Sequence, residues 1–475
     1  MLKRLIGYKE LIVLLAVVIM LRLPSLFEPY WYGDEQIYLT IGQGVRKGLV
    51  LYRDITDYPN KPPLIYLLAA VVGSVFWFKF MLLLWNMVHV MAVNWLLKQM
   101  WGDKKWLVWG GNVAFILLTS LPILEGNIAN GEIFMTMPVT LAMLLLWKQQ
   151  YFVAGLMFAL GFLFKIPVAA EVVAAILIFW WFKNKLIDRG LVSFGLGFGI
   201  PIVMVLLIWQ AMGVGPIELA KNAVGSAGYV SAWQSRWLSL PGRLGLVVIG
   251  SGIVYGLRKR LGAGLVLGVT WLMWALWGAT LSGRPYPHYF IQIVVAVIIT
   301  LGATLAGREK RLRVMVGGVG LALVAVALVV LKVKPYPVGA YYANWGKFLT
   351  GQKSFSEYVA WFDRRMPRNY ALAYYLKAHT SPEEKIYIWG NQPDVYVMAE
   401  RLPVGRLVAS FHVEDLQAYG ATMEWLKQNP PAYVVMMADE ERGFEELKYW
   451  VDKYYVEVEK IDEAKVYRRL PTWQN

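Results

Sequence analysis

Apolar runs recur along this chain from residue 10 to about residue 331, and short polar stretches separate them. Most are close to the 17 to 25 residues that a helix needs to cross a bilayer core. Membrane crossings are expected at roughly 8–25, 80–97, 106–124, 132–148, 150–166, 167–182, 191–212, 242–257, 262–281, 288–305 and 312–331. One more apolar segment, PLIYLLAAVVGSVFWF at 63–78, would reverse every later loop if it crossed, so it reads as a re-entrant or steeply tilted helix. After residue 331 the pattern changes to ordinary polarity with mixed charge. There, short β-rich runs (KIYIWG, RLVAS, AYVVMM) alternate with helical ones (VEDLQAYGATMEWLKQ, ERGFEELKYWVDKY), and YYVEVEKIDEAKVYRR reads as a hairpin. The expected fold class is therefore a polytopic α-helical membrane protein of about 11 to 13 transmembrane or re-entrant helices, with a soluble α/β domain at the C-terminal end. The boundary falls between 1–331 and 332–475.

Composition agrees, with 58% hydrophobic residues and a mean hydropathy of +0.46. A net charge of +15 in a soluble chain would suggest nucleic acid. Here Lys and Arg fall mostly in the short loops, which is the signature of membrane orientation, and no nucleic-acid partner is implied. Basic clusters at Lys3, Arg4 and Lys9, at Lys98, Lys104 and Lys105, at Lys148, at Lys183, Lys185 and Arg189, at Arg258, Lys259 and Arg260, and at Arg308, Lys310, Arg311 and Arg313 put those loops in the cytoplasm. The N-terminus then lies inside and residues 332–475 outside. MLKRLIGYKELIVLLAVVIMLRL begins like a signal peptide but lacks a small-residue cleavage site, and it reads as a retained first helix. With no cysteine, the chain uses neither disulfides nor thiol chemistry.

The remaining charges sort by side. Asp34 and Glu35 in the first loop, Lys61 at its far end, Glu125 and Glu132, Lys165 between apolar runs, and Arg284 with His288 all fall at the external boundary of this topology. A charge at the bilayer centre costs about 3 kcal/mol even on lenient insertion scales, so a shared polar cavity is the economical explanation. The acid pair Asp34 and Glu35 with four cations around one external mouth suits a phosphate held by Lys61, Lys165, Arg284 and His288, with one acid as a base. Tyr58, Tyr286 and Tyr289, with Glu125 and Glu132, are candidate substrate contacts. His89 reads as an interhelical hydrogen-bonding residue rather than a ligand. The aromatic-rich loop Gly213 to Gly242 reads either as an interfacial segment that orders over a bound lipid carrier or as a static membrane-surface helix. The tail carries no Gly-rich phosphate loop, metal-ligand spacing or nucleophile signature, and reads as a packed accessory domain.

WYGDEQIY, DYPNKPPLIYLL, NIANGEIF, GFLFKIP and SGRPYPHYF, in that order, resemble the landmarks of bacterial family 39-like glycosyltransferases of the PMT/ArnT type, which have the GT-C fold. SPEEKIYIWGNQPDVYVMAERLP looks like the start of their C-terminal soluble region. The resemblance implies a cell-membrane enzyme, a hexosyl- or pentosyltransferase. It would take a sugar from a polyprenyl-phosphate donor and deliver it to an envelope lipid, glycan or protein on the external face. By the same resemblance Asp34 is the base or acceptor-orienting acid, Glu35 its neighbour of less settled role, and Lys61, Arg284 and His288 lie near the carrier phosphate. Ile166 stands where the family often has Gln or Thr, which removes a polar contact. With one carboxylate base and no evident covalent nucleophile, single displacement with inversion is expected. No cofactor is expected, although Asp34 and Glu35 as oxygen ligands for a divalent cation stay open. The alternative of another class is a transporter or lipid flippase. Such proteins tend to carry midplane charges and paired repeats, whereas here the charges gather at one face and no halves match.

Overall fold

The computed structural model describes residues 2–183, 188–215, 239–307 and 310–471. Most of the loop Gly213 to Gly242, residues 216–238, lies outside the described residues. The chain forms two compact units. One comprises Met1–Ser25, Lys79–Ala211 and Ala220–Gly339, the other Leu26–Phe78, Met212–Leu219 and Ala340–Asn475.

The first unit is a helical bundle, and each of the eleven apolar segments expected to cross lies on a helix. Six helices among the described residues are long and apolar enough to span by themselves: Lys9–Phe27, Val75–Trp101, Arg189–Ala211, Leu240–Leu261, Pro287–Ala306 and Arg311–Val330. Gly131–Trp147, Tyr151–Phe164 and Ala263–Ala279 are shorter apolar helices, and Lys105–Ser120 and Val168–Lys183 complete the set. The chain is thus a polytopic helical membrane protein with a small sheet near its C-terminal end. Small residues set the closest helix packing. A side chain at Gly155 would strike the backbone of Phe194, and one at Gly197 would strike that of Phe152, so the Tyr151–Phe164 and Arg189–Ala211 helices meet backbone to backbone.

The segment 63–78 is no single helix. Leu64–Val72 is nine residues long and ends at Gly73 in the left-handed conformation, after which Val75 starts the next, 27-residue helix. Nine residues rise about 14 Å, less than half of a hydrocarbon core.

Several buried polar groups in the bundle pair with groups on other segments, as an apolar surround favours. Arg22 donates from Nη2 to the carbonyls of Thr119 and Gly126, both at 2.7 Å. Lys79 Nζ donates to Asn127 O at 2.9 Å. His89 Nε2 lies 2.9 Å from Thr140 Oγ1, the interhelical role expected of it.

In the second unit a four-stranded sheet has the order β1-β2-β4-β3, with β1 Ile386–Trp389, β2 Tyr433–Met436, β3 Tyr455–Ile461 and β4 Ala464–Arg469. β1 and β2 are parallel, with Ile386 opposite Tyr433, and β3–β4 is the expected hairpin. Alternation along the strands sends Ile386, Ile388, Val435 and Val466 to one face with Leu372, Leu376 and Tyr396. Tyr387, Trp389 and Val434 go to the other, with Leu426, Leu447 and Trp450. RLVAS is not a strand: the Thr56 N–H donates to Arg406 O at 2.9 Å and the Arg406 guanidinium to Tyr52 O, so this run bonds to the first loop, and Ser410 opens a helix, Ser410–Asp415. The helical run at 413–428 is broken at Gln417, in the left-handed region, before Tyr419–Gln428.

The first loop is built into this unit. Its helix Gly33–Arg46 donates from Thr40 Oγ1 to Pro393 O at 2.8 Å and from Gln43 Nε2 to Arg401 O at 3.1 Å, around the helix Asp394–Ala399. These residues of the first loop and of the tail fold as one body.

Candidate active site

The expected site residues gather as two clusters, one in each unit. In the second unit, Asp34 sits in the first turn of the Gly33–Arg46 helix and Lys61 at the end of the following loop. Lys61 Nζ lies 3.3 Å from Asp34 Oδ1 and 2.8 Å from Asp57 Oδ2, and 5.0 Å above the Tyr38 ring. The three charges differ in access: side-chain exposure is 29% for Asp34, 12% for Lys61 and 0% for Asp57. Asp57 accepts from three donors, the first being Lys61, and has the His412 ring beside it. Tyr66 OH donates to Oδ2 at 2.8 Å, the Tyr58 N–H donates to Oδ1 at 2.7 Å, and His412 Nε2 lies 3.2 Å from Oδ1. Burial pushes the Asp57 carboxyl upward, but the Lys61 ammonium and the His412 ring outweigh it and hold it well below the usual carboxylate range. The cluster is thus an anchored ammonium with one accessible carboxylate beside it.

Glu35 is buried. Adjacent residues on a helix project about 100° apart, and the structure does not bring the two neighbouring acids together as it does Asp34 and Lys61. Among the described residues, no group of three or more His, Cys, Asp or Glu side chains has the arrangement of a metal site.

In the first unit, Glu132 in the first turn of Gly131–Trp147 pairs with Lys165, which ends Tyr151–Phe164 in extended backbone before Pro167. Their side chains are 3% and 15% exposed. Lys165 Nζ also stands 5.1 Å over the Tyr289 ring. His288, in the short helical turn Pro287–Ile293, places Nδ1 2.5 Å from Glu125 Oε2 and Nε2 3.8 Å from Glu132 Oε1. Tyr286 stacks on the His288 ring at 5.5 Å and Tyr289 meets it edge-on at 4.7 Å. Arg284 lies half-buried in the preceding turn, its N–H donating to Ser282 Oγ at 3.3 Å. Glu125, Glu132, Lys165, His288, Tyr286 and Tyr289 therefore form one group of alternating acid, cation and aromatic ring.

Two members of the second-unit cluster were not singled out from the sequence. Asp57 precedes Lys61 by four residues within DYPNK, a turn-like string that conceals a buried acid. His412 is more than 350 residues from Asp57, and no local signal marks it. Lys79 and Glu171 did carry a signal, the same one that marked Lys165: a single charge inside an apolar run. Glu171 is buried and accepts from Trp271 Nε1 at 2.9 Å.

A helical membrane bundle with a small α/β unit built from the first loop and the C-terminal region is a GT-C fold like that of ArnT. The particular likeness is to ArnT from Cupriavidus metallidurans. The crystal structure bound to undecaprenyl phosphate matches with a TM-score of 0.59 at 13% identity, covering 97% of this chain and 98% of that one. The apo structure of the same protein matches with a TM-score of 0.55 at 13% identity, covering 98% of each. At this identity the likeness establishes the fold. No family model matches the sequence, and no curated protein matches it.

Proposed function

We propose that this chain is an integral membrane glycosyltransferase that moves a sugar from a polyprenyl-phosphate donor to a hydroxyl of an envelope lipid, glycan or protein. The observation that carries this reading is the match in fold along nearly the whole chain to a protein crystallised with undecaprenyl phosphate. The two clusters support it, because each holds cations that a phosphate would engage. In this reading residues 1–331 form the membrane catalytic domain with a cytoplasmic N-terminus, and residues 332–475 are extracytoplasmic along with the active site.

The acceptor oxygen attacks the anomeric carbon as the bond from that carbon to the phosphate oxygen breaks. Asp34, the accessible carboxylate, takes the hydroxyl proton, and the polyprenyl monophosphate leaves with one more negative charge than the donor phosphodiester carried. That added charge is what cations stabilise in the transition state. In the second unit Lys61 supplies that stabilisation beside Asp34, with Asp57 holding it in register before the lipid arrives; in the first unit Lys165, Arg284 and His288 are the phosphate-binding candidates, with Glu132 holding Lys165 and Glu125 holding His288. Phosphate then competes with these carboxylates for ammonium and imidazole, which eases release of the leaving lipid phosphate. Glu35, buried beside Asp34 in the chain, is assigned to shaping the first turn rather than to proton transfer. One displacement of this kind inverts the anomeric centre.

The test is intact mass spectrometry of envelope lipids and glycans from cells with and without the functional protein. The reading expects one family of species to lose a single sugar mass and undecaprenyl-phosphate-linked sugar to accumulate. Identical profiles would count against it.

A further inference from the structure

The tail was expected to be an accessory domain, yet it delivers a buried side chain to the cluster around Lys61. His412 lies on the helix Ser410–Asp415, whose start is fixed by the end of β1: the Ser410 N–H donates to Gly390 O at 3.0 Å, and the Phe411 N–H donates to Asn391 Oδ1 at 3.2 Å. From there its Nε2 lies 3.2 Å from Asp57 Oδ1, close enough for an ion pair though outside hydrogen-bond geometry, with both side chains fully buried. The opposite oxygen of Asp57 holds the Lys61 ammonium. A second tie runs in parallel. Arg406, in the same connection after β1, binds the Thr56 N–H and the Tyr52 carbonyl, and Tyr52 OH donates to Lys61 O at 2.7 Å. The backbone and the ammonium of Lys61 are thus both held by chains of contacts that end in the tail.

We propose that His412 is a positioning residue that acts through Asp57 to keep the Lys61 ammonium where the donor phosphate meets it, making the C-terminal unit part of the lipid-phosphate site. The inference rests on the reading of Lys61 as a phosphate ligand. Removing His412 opens a void beside a buried carboxylate; water enters, Asp57 turns, and Lys61 loses its fixed place.

The test uses the full-length protein in detergent micelles, with acylation of individual lysines by an amine-reactive ester read by peptide mass spectrometry. His412→Ala is expected to raise acylation of Lys61 roughly tenfold, within the range for coupled neighbours, and to leave exposed Lys427 unchanged. His412→Gln, which keeps an N–H donor, stays within about twofold of the parent and covers the case in which the alanine variant fails to fold. Unchanged Lys61 acylation in both variants, with Asp57→Asn raising it, overturns the proposal. Affinity for undecaprenyl phosphate gives a second readout. His412→Ala weakens it about tenfold in the parent and not at all in a Lys61→Ala background, whereas an equal loss in both backgrounds marks a merely structural role. A parent that fails to bind undecaprenyl phosphate refutes the functional reading and with it the lipid-phosphate part of this proposal, while the acylation result still decides whether His412 positions Lys61 through Asp57.

Discussion

The helix that presents Asp34 rests on Asp394–Ala399, and Asp394 makes that support sensitive to pH. Asp394 is fully buried and accepts from Asn369 Nδ2 at 2.9 Å. Burial pushes its carboxyl from 3.8 up to about 7. Below about pH 4 the acid is neutral both folded and unfolded. Between there and about pH 7 the folded state keeps a proton that the unfolded chain has lost, so stability falls as pH rises, and it levels off above the folded value. At 1.36 kcal/mol for each pH unit, the span from 3.8 to about 7 amounts to about 4 kcal/mol of local stability lost by pH 8. Asp394→Asn keeps the shape and an acceptor for Asn369 but removes the charge. Amide hydrogen exchange over Asp394–Ala399 in the full-length protein, corrected for intrinsic rates from pH 5 to 8, is the assay. The parent loses protection with rising pH, the Asn variant does not, and the two converge at the acid end. Protection that is flat with pH in the parent, or that falls equally in both, refutes the reasoning.

Two further outcomes follow from the membrane unit. Lys165→Ala leaves the buried Glu132 carboxyl without its ammonium partner, and loss of one partner of such a pair costs about 3 to 5 kcal/mol. Thermal unfolding in detergent should rank Lys165→Ala far below the parent and Lys165→Met with Glu132→Gln close to it; equal losses would show that the pair is not buried as described. Single cysteines at Trp77 and Gly102, at the two ends of the Val75–Trp101 helix, should react with a membrane-impermeant thiol reagent from opposite faces of the cell membrane, Trp77 from the external face and Gly102 from the cytoplasmic one, and the reverse pattern would show that 63–78 crosses.

The helical architecture was legible because the burial of apolar side chains leaves a pattern that residue type alone carries: every expected crossing lies on a helix, and KIYIWG, AYVVMM and the final hairpin appear as strands. Charges in apolar runs were legible in principle, as Lys165 shows, and Lys79 and Glu171 stand in the same kind of setting. What the chain does not announce is pairing across long separations. RLVAS has a strand-like composition, but its hydrogen bonds go to Thr56 and Tyr52, and only the fold says so. His412 resembles any histidine in a mixed helix, and its meaning depends on Asp57 more than 350 residues away. Asp34 and Glu35, adjacent in sequence, read as a pair. Helix geometry sends one toward Lys61 and buries the other.

The central claim is that Asp34 takes the acceptor proton while the cations hold the carrier phosphate. The most direct measurement compares purified parent, Asp34→Asn and Lys61→Ala for undecaprenyl phosphate affinity and for sugar transfer from an undecaprenyl-phosphate-linked donor to envelope acceptors extracted from cells lacking the protein. Loss of a positioned base lowers rate by roughly 100-fold to 10,000-fold, so Asp34→Asn should bind undecaprenyl phosphate as the parent does and transfer almost nothing, while Lys61→Ala loses both. Transfer by Asp34→Asn within about tenfold of the parent would contradict the account, since it falls short of what removal of a base costs.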